Sequence, residues 1–86
     1  MLSNDDFIEK AVDMVITVYN ELYSDGYLLT SEDVLCNWCF NTEIIKKGVF
    51  YTTLDDELLY EVTYGQSDNK LYLNVFRRLT YKEYDL

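Results

Sequence analysis

The strongest constraint in the sequence is the stretch Asn4 to Ser24, whose apolar residues recur with the period of an α-helix. At about 100° per residue, Phe7, Ile8, Ala11, Val12, Met14, Val15, Val18, Tyr19 and Leu22 fall within one half of a helical wheel. That half must be buried against another layer. The opposite half carries Asp5, Asp6, Glu9 and Asp13 at spacings of three and four, a ladder of carboxylates rising about 6 Å per four residues. Like charges four apart repel, although Asp5 and Asp6 gain from the positive helix start. The acidic half is therefore either solvated or set against something basic. Ser3 or Asn4 supplies the cap, and Ser24-Asp25-Gly26 the stop, with Gly26 suited to a left-handed residue.

After a short connection, Tyr27 to Leu29, a second helix start is predicted. Thr30 as cap puts Asp33 in the place of a capping-box acid, and Leu29 with Val34 forms a hydrophobic staple. The helix is expected from Glu32 to at least Phe40, showing Val34, Leu35, Trp38 and Cys39 on one side. Asn41-Thr42 interrupts it, and Glu43 to Lys47 gives another turn closed by Gly48.

From Val49 the period becomes two. Val49 to Leu54, Leu58 to Tyr64 and Lys70 to Arg78 are rich in aromatic and β-branched residues, with Asp55-Asp56 and Gly65 to Asn69 between them. They read as an antiparallel meander. A four-residue loop, Gln66 to Asn69, sets Tyr64 opposite Leu71, Val62 opposite Leu73 and Tyr60 opposite Val75. This gathers Val49, Tyr51, Leu58, Tyr60, Val62, Tyr64, Leu71, Leu73 and Val75 on the face that receives the first helix. The outer face, with Phe50, Leu54, Leu59, Tyr72 and Phe76 among Glu61, Thr63, Asn74 and Arg78, is too apolar to be freely solvated and calls for a cover. The second helix or a partner supplies it.

The expected fold is α+β: two N-terminal helices, three with the short turn over Glu43 to Lys47, packed on a three-stranded antiparallel meander. Eighty-six residues make one domain, helical to residue 48, sheet over 49–79 and a tail over 80–86.

The net charge of −9 is uneven: residues 1–45 hold nine acids against Lys10 alone, and the remainder is nearly neutral. Such a field disfavours DNA, RNA and anionic membrane as direct partners and favours basic proteins. The acidic start lacks the features of a secretory signal, and no run reaches the roughly 20 apolar residues of a membrane span. A cytoplasmic location is the expectation, which two cysteines outside any disulfide framework fit.

Cys36-Asn37-Trp38-Cys39 has CxxC spacing, but on a helix preceded by another helix it lacks the strand-to-helix setting of a redox pair. Zinc would need two further ligands, and there is no histidine or third cysteine. Two buried, inert thiols are the expectation, with a thiol redox protein as a remote alternative. Asp55-Asp56-Glu57 reads as a solvated turn rather than a calcium loop. With no nucleophile elbow or phosphate-binding glycine loop, no enzymatic activity and no cofactor are expected.

The expected role is a non-enzymatic binder. Asp5, Asp6, Glu9 and Asp13, extended by Glu21, Asp25, Glu32 and Asp33, would occupy phosphate sites of a basic, nucleic-acid-binding surface, with Tyr23, Tyr27 and Tyr72 adding contact area. In size, acidity and lack of catalytic groups the chain resembles small phage-encoded inhibitors of host defence, among them anti-CRISPR proteins and other DNA mimics. That resemblance is compositional and implies a CRISPR-Cas component, or another DNA-binding defence effector, as target in the host cytoplasm. Two alternatives are an immunity protein or antitoxin against a basic toxin and a small adaptor that forms a homodimer through the outer sheet face.

Overall fold

The computed structural model describes residues 2–23, 29–42, 45–54, 58–65, 67–77 and 82–85. Its elements run α1 (Asn4–Leu22), a 3-10 turn η1 (Ser31–Asp33), β1 (Val34–Asn41), β2 (Ile45–Thr52), β3 (Leu58–Gly65) and β4 (Lys70–Arg77). The strands form one antiparallel sheet in the order β1-β2-β3-β4. The chain is α+β, with one helix and four strands among the described residues where the sequence predicts two or three helices on three strands.

The first helix forms where its periodicity places it. Ser3 caps it, its Oγ accepting the Asp6 N–H at 3.1 Å. The helix ends at Leu22, where Tyr23 turns extended and donates its N–H to the Tyr19 carbonyl. Ser24-Asp25-Gly26 lies outside the described residues. Phe7, Ala11, Val15 and Tyr19, each four residues on from the last, are buried against Phe50, Tyr60, Val62 and Tyr64. The helix lies over β2, touching β1 and β3 on either side. Burying a large apolar side chain in such a layer contributes about 1.5–3 kcal/mol.

The second helix does not form. Asp33 does reach back, Oδ2 accepting the Thr30 N–H at 3.0 Å and the Thr30 hydroxyl at 3.1 Å. Its other oxygen accepts the Thr53 hydroxyl at 3.1 Å, and its carbonyl accepts the Thr53 N–H at 2.8 Å. The cap thus ties one turn to the end of β2, and the chain leaves extended at Val34. β1 then carries a bulge: Cys36 opposes Phe50 and Trp38 opposes Val49, leaving Asn37 as the extra residue. One inserted residue shifts the alternation, so apolar side chains at 34, 35, 38 and 39 imitate helical spacing. The helical turn expected at Glu43 to Lys47 fails likewise. Ile45 to Lys47 lie in β2, and Thr42 and Ile45 close the hairpin with their backbone and the Thr42 hydroxyl. Glu43 itself lies outside the described residues.

Gly48, expected to stop a helix, sits mid-strand opposite Cys39 and Val62. A Cβ there would lie 2.7 Å from the Phe50 ring and 3.1 Å from Cys39 Sγ, so the glycine allows Phe50 to fold in beneath α1. Phe50 is wholly buried on the helix side, and Val49 and Tyr51 point to the other face, the reverse of the expected assignment. Lys46 also lies on the helix side, 8 % exposed, its ammonium donating to Asn4 Oδ1 at 2.6 Å. Its aliphatic stem covers core while the charge reaches the helix start.

The β3–β4 register is the expected one: Tyr64 pairs with Leu71, Val62 with Leu73 and Tyr60 with Val75. Asn69 adopts φ 52 in the turn, a left-handed conformation that asparagine tolerates, and its side-chain oxygen accepts the Tyr64 hydroxyl at 2.7 Å.

Candidate functional site

Two surfaces stand out, on opposite sides of the molecule. The first is the outside of α1. Around the helix axis Asp5, Asp6, Glu9 and Asp13 fall within an arc of about 100°, roughly opposite the buried Phe7, Ala11, Val15 and Tyr19, and all four acids are exposed. Asp5 and Asp6 lie in the first turn, where the helix dipole favours them. Glu21 is exposed in the last turn, which holds no base; the dipole opposes a carboxylate there.

The remaining expected contact residues divide. Glu32 is exposed on η1, beside α1. Asp33 is half-buried, and its carboxylate is taken up by Thr30 and Thr53. Tyr23 is half-buried and tilted against Tyr19, ring centroids 4.9 Å apart. Tyr72 lies on the far side of the sheet from the acidic ladder, where its hydroxyl donates to Asp68; that hydrogen bond holds the phenol pKa above its ordinary value. Asp25 and Tyr27 lie outside the described residues.

The second surface is the face of the sheet that α1 leaves bare. Register and alternation place Leu35, Trp38 and Phe40 of β1 on it, with Ile45, Val49 and Tyr51 of β2, Leu59 of β3, and Tyr72 and Phe76 of β4. Seven of these, Leu35, Trp38, Phe40, Ile45, Tyr51, Tyr72 and Phe76, are 38–53 % exposed. Monomeric soluble proteins rarely present so continuous an apolar patch. Among the described residues the charged side chains at this face are Lys47, Lys70, Glu61 and the Asp68 that Tyr72 holds, formally neutral on a chain of −9, and Glu61 accepts a long hydrogen bond from Asn74 at 3.4 Å. The second helix expected to cover this face is itself strand β1 and extends it. Trp38 and Phe40 were missed as contact residues for that reason. Their signal was present in the β-favouring run of valine, cysteine, tryptophan and phenylalanine from Val34 to Phe40.

The cysteines are neither helical nor buried. In a regular strand residues three apart point to opposite faces; the bulge at Asn37 turns Cys36 and Cys39 to the same, helix-facing side, with their sulfurs hydrogen-bonded at 2.8 Å and no disulfide between them. Partial burial, reinforced by the hydrogen bond to Cys36 and the electrostatic coupling of the two thiols, pushes the Cys39 thiol up to about 12. A thiol held protonated is a poor nucleophile and metal ligand. Cys39 also lines a shallow pocket of about 140 Å³ with Asn4, Phe7, Ile8, Phe40 and Asn41, which offers amides and a thiol but no carboxylate or base. Among the described residues no three cysteine or acidic side chains converge as metal ligands. No helix among them is long and apolar enough to cross a membrane.

Residues 8–85 match the family described as Family of unknown function (DUF6275). No curated protein and no solved structure matches.

Proposed function

Because the chain belongs to DUF6275, whose description assigns no activity, we propose from its own chemistry that it is a non-enzymatic binding protein whose acidic α1 surface engages a basic, polyanion-binding surface of another protein and blocks it. The observation that carries this is the confinement of Asp5, Asp6, Glu9 and Asp13 to one exposed arc of α1. Carboxylates fixed at helical spacing can replace phosphates against arginine and lysine, and long-range attraction speeds the encounter. Glu21 and Glu32 lengthen the acidic surface. Asp33, engaged by its cap, contributes charge but no free carboxylate. A DNA-binding defence effector, such as a CRISPR-Cas component, is the target class that the compositional resemblance favours, and the cytoplasm is the compartment where it would be met; the unbonded cysteines fit that setting.

The test uses an immobilised basic DNA-binding effector, with duplex DNA as competitor. The wild-type chain should bind, lose affinity as salt rises, and be displaced by DNA. Changing Asp6, Glu9 and Asp13 together to Lys should abolish binding while the helical signal in circular dichroism persists. Unchanged affinity of that folded triple variant would contradict the proposal.

A further inference from the structure

The bare face of the sheet has a different occupant. We propose that it is the interface of a homodimer, two copies packing sheet on sheet as a four-layer sandwich with α1 of each copy on the outside. This does not depend on the basic-partner reading, which concerns the opposite surface.

The size is right. Four strands of eight residues, at ~4.8 Å between strands and ~3.4 Å per residue, have a footprint of roughly 500 Å². With side chains standing from it, two such faces bury on the order of 1,200–1,600 Å² together, the range of specific protein interfaces. The composition is right as well. Trp38, Phe40, Tyr72 and Phe76 project from the two outer strands and Tyr51 from between them, and aromatic side chains are enriched where interfaces carry their binding energy.

Charge selects a second copy over other ways for this chain to cover itself. A molecule of −9 can associate with itself only where its acids end far apart. Two slabs each 19 Å thick, with sheets ~10 Å apart, put the acidic ladders on opposite outer surfaces, several screening lengths of ~8 Å from one another. The contacting faces are each formally neutral among the described residues, and Lys47 and Lys70 of one copy can approach Glu61 of the other across a two-fold axis. Joining at a sheet edge is opposed on the β1 side by the bulge at Asn37, which interrupts that edge. A dimer of this geometry carries an acidic helix on each outer surface and can hold two basic partners at once.

Sedimentation velocity and tryptophan fluorescence of the full chain over a concentration series test this. Trp38 is the sole tryptophan, so its environment reports the interface without any substitution. The mass should double, and in step with it the Trp38 emission should move to shorter wavelength and acrylamide quenching fall. Phe76→Glu, at a site exposed in the single chain, should weaken association at least tenfold. Asp6, Glu9 and Asp13 changed to Lys should leave the dimer intact, so loss of basic-partner binding and loss of dimer are separate results. A chain that stays at single mass at 100 µM overturns the proposal, as does a doubled mass with Trp38 still fully quenched. A single-mass chain whose bare face is covered only when an apolar protein is added would assign the surface to a different partner.

Discussion

The two faces of the sheet are built from the same strands and meet different fates. Along β3, Leu58, Tyr60, Val62 and Tyr64 are at most 7 % exposed under α1, while Leu59, Glu61 and Thr63 between them are only half-buried. Along β2, Phe50 is wholly enclosed and Tyr51, the next residue, stands 38 % exposed. Hydrophobicity alone does not distinguish the face holding Val62 from the face holding Trp38, since both carry aromatic and branched apolar residues. The difference is α1, and among the described residues there is more apolar sheet surface than helix to cover it.

The largest expected effect separates the faces by stability. Phe50→Ala should cost about 3–5 kcal/mol, because the cavity it leaves cannot collapse beneath α1, whereas Phe76→Ala should change the stability of the dilute single chain by less than about 1 kcal/mol. Urea denaturation at low micromolar concentration checks both, and equal losses would mean that the bare face is a core. A smaller loss is expected from Gly48→Ala. The added methyl meets the Phe50 ring at 2.7 Å, and repacking an enclosed aromatic costs about 1–3 kcal/mol; an unchanged urea midpoint would show that the ring gives way.

The helix that makes the difference has its own tests. Ser3→Ala removes the hydrogen bond to the Asp6 N–H and should cost about 1 kcal/mol, read as a lower thermal midpoint with no change in association. The smallest effect has the opposite sign. Glu21→Lys places a cation at a helix end that lacks one and should stabilise by about 0.3–1 kcal/mol, while weakening capture of a basic partner if Glu21 belongs to that surface.

The same comparison explains how far the sequence could be read. α1 was legible because one of its sides is acidic, so the apolar half had a boundary; Asp5, Asp6, Glu9 and Asp13 are exposed where their spacing placed them. The β3–β4 register was legible because Tyr64, Val62 and Tyr60 alternate with Thr63 and Glu61 and the turn at Asn69 fixes the loop length. β1 and the first half of β2 were not, and the stretch from Val49, read as a strand, had its two faces exchanged. On β1 both faces carry apolar side chains, which removes the alternation that identifies a strand. The bulge at Asn37 spaces Val34, Leu35, Trp38 and Cys39 like a helix, and Lys46-Lys47-Gly48 imitates a helix end although Lys46 is buried against Asn4. Burial of a lysine by its stem, and of Phe50 through the absence of a Cβ at Gly48, depend on partners distant in the chain. The candidate site was legible to the same extent. Its acidic side could be read from α1, and Leu59, Tyr72 and Phe76 of the bare face from the later strands, but Trp38 and Phe40 were hidden with β1.

The most direct measurement of the central claim, that the acidic side stays open while the bare sheet face is covered by protein, is nuclear magnetic resonance of the wild-type chain at about 100 µM with a neutral paramagnetic relaxation agent, a range in which a specific dimer forms. The expected result is strong relaxation of the outward positions of α1, Asp6, Glu9 and Asp13, together with protection of the Trp38 indole and the Tyr72 and Phe76 rings. Strong relaxation of those three rings, equal to that of the outward helix positions, would contradict it.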